Sequence, residues 1–143
     1  MASPDNRQYT RNMDRIDDPR LTTHTGLIHQ GELYWIGPDE TRGSVPGHPH
    51  PYVVVQEDVF NHSRISTVVV CALTSDLNRG SEPGNVLLEP GEGNLAKQSV
   101  IVVSQVSSLY KSRLGTRIGA LSPERVAQVL AGMRFQQASF FNR

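Results

Sequence analysis

Gly43-Ser44-Val45-Pro46-Gly47-His48-Pro49-His50-Pro51 runs directly into Tyr52-Val53-Val54-Val55. The second stretch is β-branched and aromatic throughout, the composition of a buried strand, and the first is a glycine- and proline-punctuated loop leading into it. Working outward from this junction, similar β-favouring runs recur: Leu33-Tyr34-Trp35-Ile36, Thr67 to Leu73, Asn85-Val86-Leu87-Leu88, and Ser99 to Ser104 with continuation through Val106. Between them, Gly37-Pro38-Asp39, Asn78 to Gly84 and Pro90-Gly91-Glu92-Gly93-Asn94 supply turn chemistry. No helix of useful length fits among these runs, so the core is expected to be antiparallel β.

The period changes near the C-terminus. Ser122 is a candidate N-cap, Pro123 suits the first helical position, and Glu124 favours the positive end of a helix dipole. Val126, Val129, Leu130 and Met133 fall on one helical face, with Phe140 extending it. Gly132 weakens this helix slightly without stopping the pattern. Phe140-Phe141 is expected in the core or at a dimer interface. The fold expectation is mainly β with one C-terminal helix packed on the sheet.

A length of 143 residues allows one domain. Residues 1–30 mix Asp, Arg, Asn, Thr and Gln with few apolar anchors and read as a mostly disordered extension or a loosely docked arm. The folded domain is expected over residues 31–143. Fourteen basic and 14 acidic side chains give a formal net charge of zero, which argues against a protein that coats nucleic acid by charge alone but leaves a local RNA site open. Cys71 is the one cysteine and reads as a small buried hydrophobe. With no apolar run of membrane-spanning length and no signal-peptide pattern, the expected location is the cytoplasm.

His48 and His50 are two of five histidines. Each precedes a proline, which disfavours helical backbone, so both imidazoles sit on stiff, extended chain. Three uses suit them. Imidazole titrates near pH ~6.5 and can move protons at neutral pH; on a strand, positions i and i+2 face the same way roughly 6–7 Å apart, the right spread to bracket a phosphate. A polyproline backbone would splay them instead. Metal binding is the second use, with no Cys, Asp or Glu cluster nearby to complete a site. The third is a pair of solvated histidines beside turn-shaping prolines.

Four segments go beyond composition. Gly31-Glu32-Leu33-Tyr34-Trp35-Ile36 is followed by the Gly43–Val55 loop and strand, by Cys71-Ala72-Leu73-Thr74-Ser75, and by Gln98-Ser99-Val100 through Gln105-Val106; Ile118 to Val126 then leads into the final helix. Together they resemble the MazF/PemK family of toxin endoribonucleases. The resemblance implies an SH3-like, CcdB-like antiparallel β-barrel acting as a homodimer and held inactive by a cognate antitoxin. It also implies cofactor-free, metal-independent cleavage of single-stranded RNA to a 2′,3′-cyclic phosphate and a 5′-hydroxyl.

By the same resemblance the family's catalytic arginine falls on His50 and its loop glutamate on Val45. His50 is then the leading catalytic residue, a protonated acid and phosphate-stabilising donor, with His48 as a compensating base. The family's catalytic threonine falls on Thr74, whose hydroxyl would donate to a phosphate oxygen; read alone, Thr74 is a strand-end residue bonding the Ser75-Asp76 turn. Ser75 would share that role; Gln105 would read a base edge or satisfy backbone groups at a strand bend, Ser44 would bond a phosphate or only turn the loop, and Arg42 is a loop cation placed to add a phosphate contact. Arg64, Arg79 and Lys97 are further loop cations, and Lys111, Arg113 and Arg117 beside Tyr110 form a candidate basic strip or a solvated turn. Trp35 beside Tyr34 reads as core and rim packing, since alternation puts one ring inside. The competing function is a non-catalytic binding module on the same scaffold, either a CcdB-like inhibitor of a protein target or a catalytically dead RNA binder.

Overall fold

The computed structural model describes residues 18–38 and 47–141, the last three by backbone alone. Six strands form one antiparallel sheet: β1 (Glu32–Ile36), β2 (His50–Val54), β3 (Thr67–Thr74), β4 (Val86–Leu88), β5 (Ser99–Tyr110) and β6 (Arg117–Ala120). Their spatial order is β4-β5-β3-β2-β1-β6. A short helix, α1 (Asp58–Asn61), follows β2, and α2 (Pro123–Phe141) closes the chain. The five runs expected as strands all become strands. β6 was not among them because four residues alternating poorly between core and solvent carry little strand signal. β5 extends past Val106 to Tyr110 through two serines that mask its character.

Strand pleating places side chains on alternate faces, and both faces are used. Leu33, Val53 and Cys71 face one another across three strands and join Leu73, Leu88 and Ile101 under α2. Tyr34, Val54, Val68 and Val70 form a second cluster on the opposite face with Ile28 and Leu114. The expected alternation at Tyr34-Trp35 is present: Tyr34 is fully buried, whereas Trp35 is half-buried. α2 starts as its sequence requires, with Ser122 Oγ accepting from the Arg125 N–H at 3.2 Å. Its Val129 is buried against the first cluster, with Val126, Leu130 and Met133 packed alongside. Gly132 has a positive reason to be there: a Cβ at that position would run into the Gly84 backbone, 3.0 Å from its carbonyl carbon. The Phe140 and Phe141 side chains lie outside the described residues.

The sheet curls into a half-barrel without pairing its edge strands. The segment after β4 closes the gap instead. Asn94 Nδ2 donates to Ile118 O of β6 at 3.0 Å, and Gly93 lies backbone to backbone with Gly119. Arg125 of α2 clamps the same segment, its Nε and Nη2 meeting both oxygens of Glu92 at 2.8 and 2.9 Å.

Residues 18–30 lie upstream of β1. They are docked: His24 N–H donates to Leu114 O at 2.9 Å, Thr116 N–H to Arg20 O at 3.1 Å, and Ile28 is 5% exposed. One apolar anchor and a few backbone bonds suffice here, a pattern that compositional reading averages away.

Cys71 is fully buried, and its thiol donates to Val102 O at 2.9 Å. Burial pushes its pKa up to about 12. In the native protein Cys71 is therefore expected to resist thiol-modifying reagents and to react only on unfolding; rapid labelling by Ellman's reagent without denaturant would contradict the packing.

Candidate functional site

One end of the sheet gathers the ends of β1 and β3 and the start of β2. Cross-strand partners Tyr52↔Ala72, Val53↔Cys71 and Val54↔Val70 fix the β2–β3 register, and extending it by one pleat sets His50 opposite Thr74. Residues two apart on a strand share a face, so His50 and Thr74 project with Tyr52 and Ala72. All four line a cleft of about 820 Å³.

Gln105 reaches the same cleft through a break in the ladder. β3 and β5 pair as Cys71↔Val106 and then as Leu73↔Ile101, so residues 102–105 bulge opposite Ala72 alone. Such an insertion re-aims the strand and its side chains. Ser75 follows Thr74 into the cleft. Thr74 Oγ1 accepts the Asp76 N–H at 3.1 Å, the turn bond that its strand-end position suggested. That bond orients the oxygen and leaves its hydroxyl proton available to donate, so the structural and chemical uses of Thr74 are compatible.

His48 is exposed and is not among the cleft-lining residues. The i, i+2 equivalence of a strand begins only at His50, where β2 starts, and the buried Pro49 separates the two rings. The histidines thus do not form a pair in the cleft. Ser44 and Arg42 lie outside the described residues.

Four cations, Arg20, Arg79, Lys97 and Arg117, border the cleft beside uncharged side chains such as Trp35, Leu95 and Ile118, and among the described residues no Asp or Glu lines it. A chain of zero net charge has concentrated positive charge at one sheet end. Each arginine is paired with a carboxylate: Arg20 with Asp18, Arg79 with Glu82 and Arg117 with Glu32. The candidate basic strip is mostly used otherwise. Lys111 Nζ donates to the carbonyls of Asn61 and Ser63 at 3.0 and 3.2 Å, and Arg113 Nη2 donates to Gly37 O at 2.9 Å; only Arg117 of that strip borders the cleft. Arg64 does not line it.

Arg117 is held by a buried network. Glu32, 7% exposed, takes Arg117 Nε on one oxygen and, on the other, the Tyr34 hydroxyl at 3.0 Å and the His29 N–H at 2.6 Å. Burial raises the Glu32 pKa, but the hydrogen bonds from Arg117, His29 and Tyr34 outweigh it and hold the carboxyl below its ordinary value. Its stabilisation is therefore present above the unfolded carboxylate range near pH ~4.3 and is lost as pH falls through the lower folded value. Glu32→Gln is expected to lower stability by about 2 kcal/mol at pH 7, the worth of a charged hydrogen bond. The gap to the parent should narrow in acid. Urea melts across this range check it, and a pH-independent gap would refute the ionic role.

Sequence reading missed Arg20, which lies in the expected extension. The available signal was Asp18-Pro19, a turn-forming pair: Asp18 Oδ1 caps the Arg20 N–H at 2.9 Å.

The architecture is that of small toxins solved with and without their antitoxins. "Endoribonuclease in complex with its cognate antitoxin from Mycobacterial species" superposes with a TM-score of 0.63 at 17% identity, covering 78% of this chain and 95% of that one. MazF from Deinococcus radiodurans gives 0.63 at 19% identity, covering 80% and 99%. At such identities the likeness establishes the fold. Sequence carries the relation further: residues 29–136 match the PemK-like, MazF-like toxins of type II toxin-antitoxin systems. Endoribonuclease MazF6 of Mycobacterium tuberculosis and endoribonuclease MazF2 of Mycobacterium bovis are each 32% identical to the chain over 108 residues, 76% of this chain and 95% of theirs. The chain belongs to the PemK-like, MazF-like toxin family.

Proposed function

We propose that this chain, an endoribonuclease of the MazF-like toxin family, cleaves single-stranded RNA by internal transesterification in the cationic cleft. The observation that carries the reading is the cleft itself, which joins His50, Thr74 and Gln105 to four basic side chains with no carboxylate among its described lining. Such a surface suits a polyanion. The 2′-oxygen of a ribose attacks the adjacent phosphorus, the bond from phosphorus to the 5′-oxygen breaks, and a 2′,3′-cyclic phosphate and a 5′-hydroxyl result. His50 as imidazolium gives its proton to the departing 5′-oxygen, and the 2′-hydroxyl releases its own to water in the open cleft.

The Thr74 hydroxyl, with Ser75 beside it, donates to a non-bridging oxygen as charge grows on phosphorus. Gln105, on the bulge, presents an amide able to pair with a base edge. His48 is left without a role in proton transfer. The relative solved with its cognate antitoxin supports a further expectation, that a partner protein restrains this chain in its cell. A homodimer acting on cytoplasmic mRNA completes the proposal. Among the described residues, no helix is long and apolar enough to cross a membrane.

The test incubates pure protein with mixed-sequence single-stranded RNA in EDTA and maps the fragment ends. Cyclic phosphate and 5′-hydroxyl ends are expected. No cleavage above the buffer control would overturn the enzymatic reading, and retained RNA binding in that case would leave a binding module.

A further inference from the structure

Residues 18–28 precede the segment that matches the toxin family, yet one of them, Arg20, lines the cleft. Pro19–Leu21 form a 3-10 turn, whose start is capped by Asp18. Thr116, next to β6, holds this turn twice, through its N–H to Arg20 O and its hydroxyl to Pro19 O. Ile28 then anchors the segment in the cluster around Tyr34 and Leu114. The backbone on both sides of Arg20 is thus fixed, and its side chain enters the cleft that contains His50 and Thr74.

The guanidinium is oriented before any ligand arrives. Its Nε meets Asp18 Oδ1 at 3.0 Å and its Nη2 meets Oδ2 at 2.8 Å, while its carbon lies 5.6 Å from the centroid of the Trp35 ring. Of five guanidinium N–H donors, two are used by Asp18 and three remain, on the two terminal nitrogens. The side chain is 41% exposed, and no hydrogen bond from its Nη1 to the described residues occupies these donors. A planar group within cation–π range of an indole and paired through two bonds with a carboxylate has lost rotamer freedom, which lowers the entropic cost of gripping an anion.

We infer that Arg20 grips a phosphate of the bound RNA strand, so that the arm preceding the family segment supplies a substrate contact to the cleft. The role matters because His50 offers only single-point contact, whereas a guanidinium offers a fork matched to phosphate oxygens. This inference rests on the reading of the cleft as an RNA site.

The experiment measures binding of a fluorescent single-stranded RNA to the full chain carrying His50→Ala, expected to slow cutting, over a series of salt concentrations, with the RNA checked intact after each titration. Adding Arg20→Ala is expected to weaken binding about tenfold. It should also reduce the magnitude of the slope of log K against log salt by about 0.7, the loss of one phosphate contact on a single strand. Arg20→Lys should keep the slope while recovering only part of the affinity, because it keeps charge without the fork. Arg20→Gln, which retains a hydrogen bond toward Asp18, must lower the slope as alanine does, and it serves if the alanine variant folds poorly. An unchanged slope in these neutral variants, even with a lowered melting temperature, would make Arg20 a structural staple and overturn the inference alone. If the His50→Ala parent binds no RNA, the cleft reading falls and this inference falls with it.

Discussion

His50→Ala is expected to slow RNA cleavage by about 10²–10⁴-fold, the usual contribution of a positioned acid or base, while leaving the fold intact. The side chain is exposed at the first residue of β2, so its removal opens no core cavity, and surface changes of this kind usually stay within about 0.5 kcal/mol. His48→Ala, removed from the cleft lining, should change the rate only slightly. His50→Arg separates two contributions. Arginine restores a forked phosphate contact but keeps its proton at neutral pH, so its rate should fall between those of the parent and the alanine variant. Single-turnover cleavage with enzyme in excess reads all three. Undiminished cleavage by His50→Ala would remove His50 from the chemistry, whatever the cleft binds.

The second large effect is structural. Gly119→Ala is expected to destabilise the protein by roughly 3 kcal/mol, at the upper end of overpacking costs, and to lower Tm by about 10–15 °C. A Cβ at Gly119 would enter the Gly93 carbonyl group, 2.7 Å from its carbon, and come within 2.9 Å of Asn94 Cβ. Gly93 cannot readily move aside. Its φ of +59° already uses the left-handed region, and a hydrogen bond from Asn94 to Ile118 O pins the segment to β6. This seam takes the place of strand pairing between the sheet's edges. Asn94, Leu95 and Ile118 also line the cleft, so RNA cleavage should fall along with stability. Thermal melts and cleavage measured together check this; a Tm change under about 3 °C would show that the seam does not hold the curl closed.

Sheet and helix were readable because their signals are local. Val53-Val54-Val55 and Thr67–Leu73 are β-favouring over whole strands, and Ser122-Pro123-Glu124 carries three independent start signals for α2. β6 escaped because four residues with a glycine bear no such pattern, and it exists because β1 needs an edge partner at Glu32–Tyr34. His50, Thr74, Ser75 and Gln105, which the family resemblance singled out, lie in three separate stretches of the chain, and strand register brings them to one cleft. Between the two geometries open to His48 and His50, the structure starts β2 at His50 and leaves His48 exposed and outside the cleft lining. Arg20 was invisible because an eleven-residue arm with one apolar anchor looks like a tail until its backbone bonds are seen.

By itself the sequence determined the class of fold, the position and start of the final helix, the buried cysteine and the family. All of these depend on near-neighbour patterns or on residue identities in order. Tertiary structure alone decided which charges converge. Within a net charge of zero, the fold brings Arg20, Arg79, Lys97 and Arg117, far apart along the chain, to one cleft whose described lining holds no Asp or Glu, although the three arginines are each ion-paired. Electrostatic fields add over distances in space, not along the chain, so no reading of consecutive residues could have summed this one.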